Sequence, residues 1–450
     1  VKEAPVPCEP FTLRPGFGFG GRFARVVQTA GREPPVVLPA PPPAGAEADL
    51  HWMQDAFDES LRGVGITNPN PAVGCVIVKD GRAVGRGFTQ RYGGSHAERM
   101  ALASVVDPRD LVGATAYVTL EPCAHHGRQP PCVDALVEAP IRRVVVARTD
   151  PDPRVRGRGI ARLREAGKTV DLGLLGGEVT AWNFPFFASQ VLRRPVLVLK
   201  WAQTLDGQLA DDAGSSQWIS GAAARSYTHW LRQRHDAILV GAGTFLADLP
   251  RLSVRDCAAP IQAQPARLVV DPKGRLLQAP AASRRAIEQA MAESPAPICV
   301  VTTQEALAQA GDDWRHRLMD RLGCRWLAVP VGDLHGVGAG ALVAALATPE
   351  LREWLGRPLQ SVLVEGGPAL LAALIESGTA DLLHVFVAPA MTGGRAHRLA
   401  MGRLLADAAR YRTVSCARLG DDVLMEMLPE SLFSRLSHDL GAAFGMGSVS

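Results

Sequence analysis

Two stretches of the chain bring metal-ligating and proton-transferring residue types close together. The first is SHAERMALA, residues 95–103, where His96 and Glu98 stand two apart as a Gly-rich loop gives way to an apolar helical pattern. Ser95, with Glu98 three residues on, also has the form of a capping box, which satisfies free backbone N–H groups at a helix start. The second is EPCAHHGRQPPC, residues 121–132, in which Cys123 and Cys132 each follow a proline. His96, Cys123 and Cys132 together offer one imidazole nitrogen and two thiolates. Catalytic zinc sites use three such ligands and leave a fourth position to water. The ion lowers the pKa of that water to roughly 7. Glu98 would then take the water's proton and return it to a substrate ring nitrogen and leaving ammonia. Two other readings of these residues are a structural zinc site completed by His125 or His126, and a metal-free loop.

His-x-Glu followed by Pro-Cys and a further Cys is the pattern of zinc nucleobase deaminases, whose second half is commonly P-C-x-x-C. Here eight residues separate the cysteines. With that long insert, and with NPNPAVGCVIVKDG at 68–81, the chain resembles the bifunctional deaminase–reductase family of riboflavin biosynthesis, from about residue 50 to about 425. The resemblance implies zinc-dependent deamination of a 2,5-diamino-6-(ribosylamino)pyrimidinone 5′-phosphate. It makes Asn70 a ring-binding residue and places His125 and Arg128 near the substrate phosphate or ribose. A guanidinium suits a phosphate, which it meets bidentately. Thr89 stands where the family often has His, Gly94 where it often has Glu, and Arg99 where an aliphatic residue is usual. None of these removes a metal ligand.

A second constellation lies in VLVEGGPALLAALIESG, residues 362–378, which reads as strand, Gly-Gly turn and helix with Pro368 in its first turn. Free N–H groups at such a helix start suit phosphate, and glycine lets the backbone come close. KWAQTLDGQLA, SSQWIS and VGAGTFLADLPRLSVR resemble the same family's reductase domain, which has a dihydrofolate-reductase-like fold. That implies NADPH reducing the ribosyl group, in its open-chain imine form, to ribityl. By the resemblance, Ala202, Trp218, Thr244, Asp248, Gly366 and Gly367 line the cofactor. Ser216, Arg232, Leu252, Arg255 and Glu365 line the substrate, with Arg232 and Arg255 suited to its phosphate. Lys200 would contact the ribose and assist ring opening or imine protonation, and Glu365 would hold the pyrimidine edge. Lys200 and Glu365 read as strand ends, and in a doubly wound sheet strand C-termini gather at the ligand crevice. A salt bridge between them is the structural alternative. Leu249 interrupts the acidic or Asn-containing pair that the family has before Pro250.

These residues need a scaffold of alternating strands and helices. Leu50, Met53, Ala56, Phe57 and Leu61 share one helical face. AVGCVIVKDGRAVGRGF reads as two strands joined at Asp80-Gly81. A helix from 96 to about 105, strand TAYVTL, a helix at 132–139, strand RRVVVAR, helix GRGIARLREAG and a strand at 169–175 follow. The second half repeats the alternation through PVLVLKWA, HDAILVGAGT, ARLVVDP, APICVVTT, SVLVE and LLHVFVAPA, with a helix-prone stretch at 278–296. The expected fold class is α/β. The family resemblance makes the first half a cytidine-deaminase-like α/β/α sandwich and the second dihydrofolate-reductase-like. The expected organisation is a disordered Gly- and Pro-rich extension at 1–48, a zinc deaminase domain at 49–190, an NADPH-dependent reductase domain at 194–430 and a tail at 431–450.

At 450 residues, 47% hydrophobic and 21% charged, the chain has the composition of a globular enzyme. A net charge of +3 with intermixed signs argues against a nucleic-acid or membrane surface. No apolar run approaches the roughly 20 residues of a membrane span, and no secretory signal is read at the N-terminus. Eight scattered cysteines do not form a disulfide framework and fit a reducing cytoplasm. A small-molecule substrate is expected, and homo-oligomerisation is left open. Rival readings are a deaminase acting on tRNA or DNA bases, which would need a basic, aromatic-bearing strand channel, and a degenerate nucleotide-binding protein.

Overall fold

The computed structural model describes residues 45–440 apart from 154, 258–260, 262, 310–311, 333–335, 395–396, 400 and 402–406. The expected disordered extension therefore lies outside the described residues up to residue 44, and so does the tail from 441. The first helix, Ala46–Ser60, starts three residues inside that expected extension. Glu47 and Asp49 in its first turn suit the positive end of the helix dipole. Trp52, Met53, Ala56 and Phe57 form its buried face, whereas Leu50, expected on that face, is 45% exposed.

The first sheet has the order β2-β1-β3-β4-β5. Its strands are β1 Gly74–Lys79, β2 Arg82–Phe88, β3 Thr115–Val118, β4 Arg143–Val146 and β5 Thr169–Leu172. β1 pairs antiparallel with β2 and β3, and β3, β4 and β5 run parallel. β5 is shorter than the expected 169–175 because Gly173, at φ +100°, turns the chain. Helices pack on this sheet at very short range. A Cβ at Gly74 would lie 1.8 Å from the Ala56 carbonyl oxygen, and one at Gly87 would lie 2.4 Å from the Ala101 nitrogen. Glycine is thus required at both, and Gly87 seats the helix Ala97–Ala103 against β2.

The second sheet has nine strands in the order β10-β9-β8-β7-β13-β6-β14-β16-β15. They are β6 Val196–Thr204, β7 Ala237–Gly241, β8 Ala266–Asp271, β9 Ile298–Thr303, β10 Arg325–Val329, β13 Ser361–Val364, β14 Leu382–Ala388, β15 Tyr411–Leu419 and β16 Asp422–Pro429. β11 Val331–Gly332 and β12 Gly336–Val337 form a separate two-stranded hairpin. From β10 to β14 the pairs are parallel; β16 and β15 close the edge antiparallel. Strands β7 and β13, β9 up to Val301 and β6 up to Leu199 are almost wholly buried and apolar, as a parallel sheet covered on both faces requires. The helix-prone stretch at 278–296 forms a helix over Ala281–Ala292. The tail begins as the helix Glu430–Leu440, with Leu432, Phe433 and Leu436 buried.

The two halves share a seam. Trp182 packs on Trp230 at 6.0 Å, and the Arg234 guanidinium lies over both rings. Gln360 donates to the Pro69 carbonyl at 2.7 Å, and Arg357 donates to the Asn68 carbonyl. No described helix is long and apolar enough to cross a membrane.

Candidate active sites

His96 is the residue immediately before the helix Ala97–Ala103, in extended backbone, and no side chain caps that helix. The capping-box reading of Ser95 and Glu98 is therefore overturned. His96 takes the cap position with its imidazole turned to the two cysteines, and Glu98 lies inside the first turn, 4% exposed. Cys132 opens the helix Cys132–Glu138, and Cys123 lies within the loop that joins β3 to that helix. These elements bring His96 Nδ1 within 3.6 Å of Cys123 Sγ and 3.4 Å of Cys132 Sγ. The donor atoms of the three residues all lie within 4.8 Å of one another. A tetrahedral zinc with bonds of about 2.0–2.3 Å needs donors about 3.5–4 Å apart, so the residues fit the ion. His125 and His126 are exposed and outside this cluster, so neither completes a four-protein-ligand site.

The electrostatics suit the same role. The Cys132 N–H donates to Cys123 Sγ at 3.2 Å. Hydrogen bonding from Cys132 and His96 draws the Cys123 thiol well below its usual range, while Cys132 is pushed up by its hydrogen bond with Cys123 and by burial. The bond to Cys123 raises the His96 imidazole. Burial, then the neighbouring Cys123 thiolate, lifts Glu98 to about 7. A carboxyl near neutrality both accepts and releases protons, as a shuttle must.

A cavity of about 620 Å³ opens over this centre and brings Asn70, His96, Glu98, Cys123 and His125 together. Arg128 is not among its lining residues; its guanidinium stacks on the Tyr92 ring at 4.3 Å. Sequence reasoning missed that the other half of the chain forms part of the wall, through Thr348, Arg352 and Gln360. No local pattern marks them, because their role depends on the packing of the two halves.

The second cavity is larger, about 1380 Å³, and brings together all the expected residues of the second site: Lys200, Ala202, Ser216, Trp218, Arg232, Thr244, Asp248, Leu252, Arg255, Glu365, Gly366 and Gly367. Lys200 does not end its strand, which runs on to Thr204. β13 pairs with β6 only as far as Val364 opposite Leu199, so Lys200 is the first residue of β6 beyond the end of β13, and Glu365 is the first residue after β13. Two neighbouring strands thus deliver a cation and a carboxylate at one level. Glu365 pairs with Arg232, Nε–Oε1 2.6 Å and Nη2–Oε2 2.9 Å, and not with Lys200. The Lys200 ammonium lies 5.0 Å from the centre of the Phe386 ring. Burial lowers its pKa and Arg232 adds to this, against the opposing charge of Glu365. Glu365 is pushed up by burial, but Arg232 and Lys200 more than reverse this and leave it below the usual carboxylate range. Trp218 is 67% exposed, with Arg225 stacked 4.7 Å from its ring centre, so it is a cavity wall and not core. A Cβ at Gly367 would come within 3.0 Å of Thr244 Oγ1, which keeps the turn before the helix Pro368–Glu376 tight.

Residues 46–148 match the cytidine and deoxycytidylate deaminase zinc-binding region, and residues 195–425 match the RibD C-terminal domain. The riboflavin biosynthesis protein RibD of Actinobacillus pleuropneumoniae is 37% identical over 84% of this chain and 94% of its own length. That of Escherichia coli is 36% identical over 84% of this chain and 99% of its own. The structure of Acinetobacter baumannii RibD superposes with a TM-score of 0.70 at 33% identity, covering 85% of this chain and 99% of that one. A Thermotoga maritima diaminohydroxyphosphoribosylaminopyrimidine deaminase/5-amino-6-(5-phosphoribosylamino)uracil reductase superposes equally well. Fold and sites together define a bifunctional enzyme, a zinc-dependent deaminase joined to an NADPH-dependent reductase. The chain belongs to the RibD family of riboflavin biosynthesis. The nucleic-acid deaminase and inactive-binder readings are not favoured.

Proposed function

We propose that this chain deaminates 2,5-diamino-6-(ribosylamino)pyrimidinone 5′-phosphate and then reduces the ribosyl group of the product to ribityl. The observation that supports this best is the pair of cavities. One gathers Asn70, Glu98 and the three metal-ligating side chains' surroundings, and the other gathers Lys200, Arg232, Arg255 and Glu365. When bound by His96, Cys123 and Cys132, zinc supplies an activated water at neutral pH. Asn70, on the wall of that cavity, orients the pyrimidine ring. Glu98 carries one proton to the ring nitrogen and one to the departing amine, which leaves as ammonia while the water oxygen stays on the ring. His125, which lines the cavity, meets the ribosyl phosphate side; Arg128, in the same loop, would have to leave the Tyr92 ring to join it.

In the second cavity NADPH supplies a hydride. Ala202, Trp218, Thr244, Asp248 and the Gly366-Gly367 turn hold the cofactor. Lys200, its proton loosened by burial, donates to the ribose as the ring opens to the imine. Glu365 holds the pyrimidine edge and is itself fixed by Arg232; Ser216, Leu252 and Arg255 line the sugar phosphate. The seven described cysteines are all free, which supports a cytoplasmic enzyme. The units expected at 49–190 and 194–430 act as the two catalytic domains on one small-molecule pyrimidine ribosyl phosphate. Incubation with the diaminopyrimidine phosphate, with and without NADPH, tests the reading. Product masses should show deamination alone without NADPH, and deamination plus two added hydrogens with it. An unchanged substrate would reject it.

A further inference from the structure

We propose that His229 is a positioning residue of the reductase site, holding the 252–255 segment so that Arg255 meets the substrate phosphate. This rests on the assignment of Arg255 to that phosphate. His229 lies on the helix Ala222–Arg234, lines the larger cavity and is 9% exposed. Its Nδ1 is 3.3 Å from the Arg255 backbone nitrogen and 3.4 Å from Arg232 Nη1. The Ser253 carbonyl is 3.2 Å away, but it accepts from Arg232 Nη1 at 3.0 Å. The Arg255 backbone N–H can only donate and is aimed at Nδ1, so Nδ1 is the acceptor and the imidazole is the neutral form protonated on Nε2.

The segment it holds needs holding. Leu252 and Asp256, at φ +49° and +47°, bracket it in the left-handed region that non-glycine residues avoid. Gln264 clamps the middle from one side, accepting from the Val254 N–H at 2.7 Å and donating to the Val254 carbonyl at 2.9 Å. His229 and Arg232 clamp Arg255 and Ser253 from the other. The Arg255 guanidinium itself has looser contacts, 3.4 Å to Ser253 Oγ and 3.8 Å to Asp256, and so remains able to turn to a ligand. The charged groups facing His229 are Arg232, Arg255 and Glu365. Burial and the two guanidinium charges outweigh the carboxylate and hold the imidazole down, at about 4. It therefore stays an acceptor across the neutral range.

The test uses the full chain loaded with zinc and NADPH, with 5-amino-6-(5-phosphoribosylamino)uracil as the reductase substrate. His229→Ala should raise KM for that substrate roughly tenfold, the effect of losing one backbone hydrogen bond that fixes a loop, with kcat within about twofold. Deamination by the same preparation should be unchanged, which shows that the variant is folded. His229→Asn, whose Oδ1 occupies the place of Nδ1, should return KM to within about threefold of the parent. Arg255→Ala should raise KM on its own, and the double variant His229→Ala/Arg255→Ala should match Arg255→Ala, because His229 acts through Arg255. The ratio of parent to His229→Asn KM should be flat from about pH 5.5 to 8, whereas an imidazole of ordinary pKa would give a break near 6.5. An unchanged KM in Arg255→Ala would remove the phosphate assignment and the proposal with it. A raised KM in Arg255→Ala with additive loss in the double variant, or no recovery in His229→Asn, would overturn the positioning role alone.

Discussion

The two catalytic centres are built in opposite ways. The deaminase centre draws its chemistry from two short segments, 95–98 and 121–132, whose groups converge within 4.8 Å. The reductase centre draws Lys200, Arg232, Arg255 and Glu365 from different strands, helices and loops around a cavity more than twice as large. A metal site needs few donors at short range, so local backbone supplies most of it. A site for a dinucleotide and a sugar phosphate must span a long ligand, and only a sheet edge with its loops is wide enough. The first centre should accordingly fail through loss of single reacting groups. The second should also fail through loss of the pairs that hold those groups in place.

The largest effect is expected at the compact centre. Glu98→Gln should lower deamination by about 10³-fold, the order expected for loss of a proton-transfer group. It should retain zinc by metal analysis, because the proposed roles make Glu98 a proton carrier and leave the metal to His96, Cys123 and Cys132. It should also leave reduction of supplied deaminated substrate intact; zinc lost from the variant would contradict this division of roles.

Lys200→Ala is the converse experiment. Reduction should fall by about 10²-fold, with deamination and NADPH binding preserved. Near-normal reduction by the folded variant would mean that the cation serves only packing on Phe386.

Arg232→Ala should act on stability as well as on reduction. It leaves Glu365 without its bidentate partner in a site where each side chain is only 12% exposed. Allowing for partial solvent access, the cost should be about 2 kcal/mol in denaturant unfolding. Glu365 titrates below its unfolded value. The stability it contributes is therefore present above the unfolded pKa of about 4.3 and lost as pH falls through the lower folded value. The gap between parent and variant should thus be constant from about pH 5 to 8 and shrink below about pH 4. A gap that grew on acidification would show that the carboxylate is not the charged partner.

The smallest effect concerns Leu249, which ends the helix Ala242–Asp248 at φ +42°. The left-handed region disfavours Leu and tolerates Asn, so Leu249→Asn should stabilise by about 0.5 kcal/mol. Reductase KM for NADPH should hold or fall slightly; a large rise would show that Leu249 itself packs on the cofactor.

Much of the deaminase site was legible because its signals are local. His-x-Glu at a loop-to-helix turn and two Pro-Cys steps specify ligands without knowledge of distant contacts. The same locality misled at Ser95, where the capping pattern is present but His96 takes the cap position. In the reductase half the strands could be read from their apolar runs and the helix after Gly366-Gly367 from its turn. The Arg232–Glu365 pair could not be read, because 133 residues separate the two in the chain. Neither could the place of Lys200, whose meaning depends on where β13 stops beside β6.

By itself the sequence determined the cluster that could hold a metal, the proposed proton carrier beside it, the alternation of strands and helices, and the glycines that let helices and turns come close. These follow from side-chain chemistry and backbone freedom, which act over a few residues. The tertiary structure decided the strand order, the partner of Glu365, the clamp of His229 on the 252–255 segment and the share of Arg352 in the deaminase wall. Those depend on which distant surfaces bury each other. Burial then decides which charges must pair, because an unpaired charge costs far more inside the protein than in water.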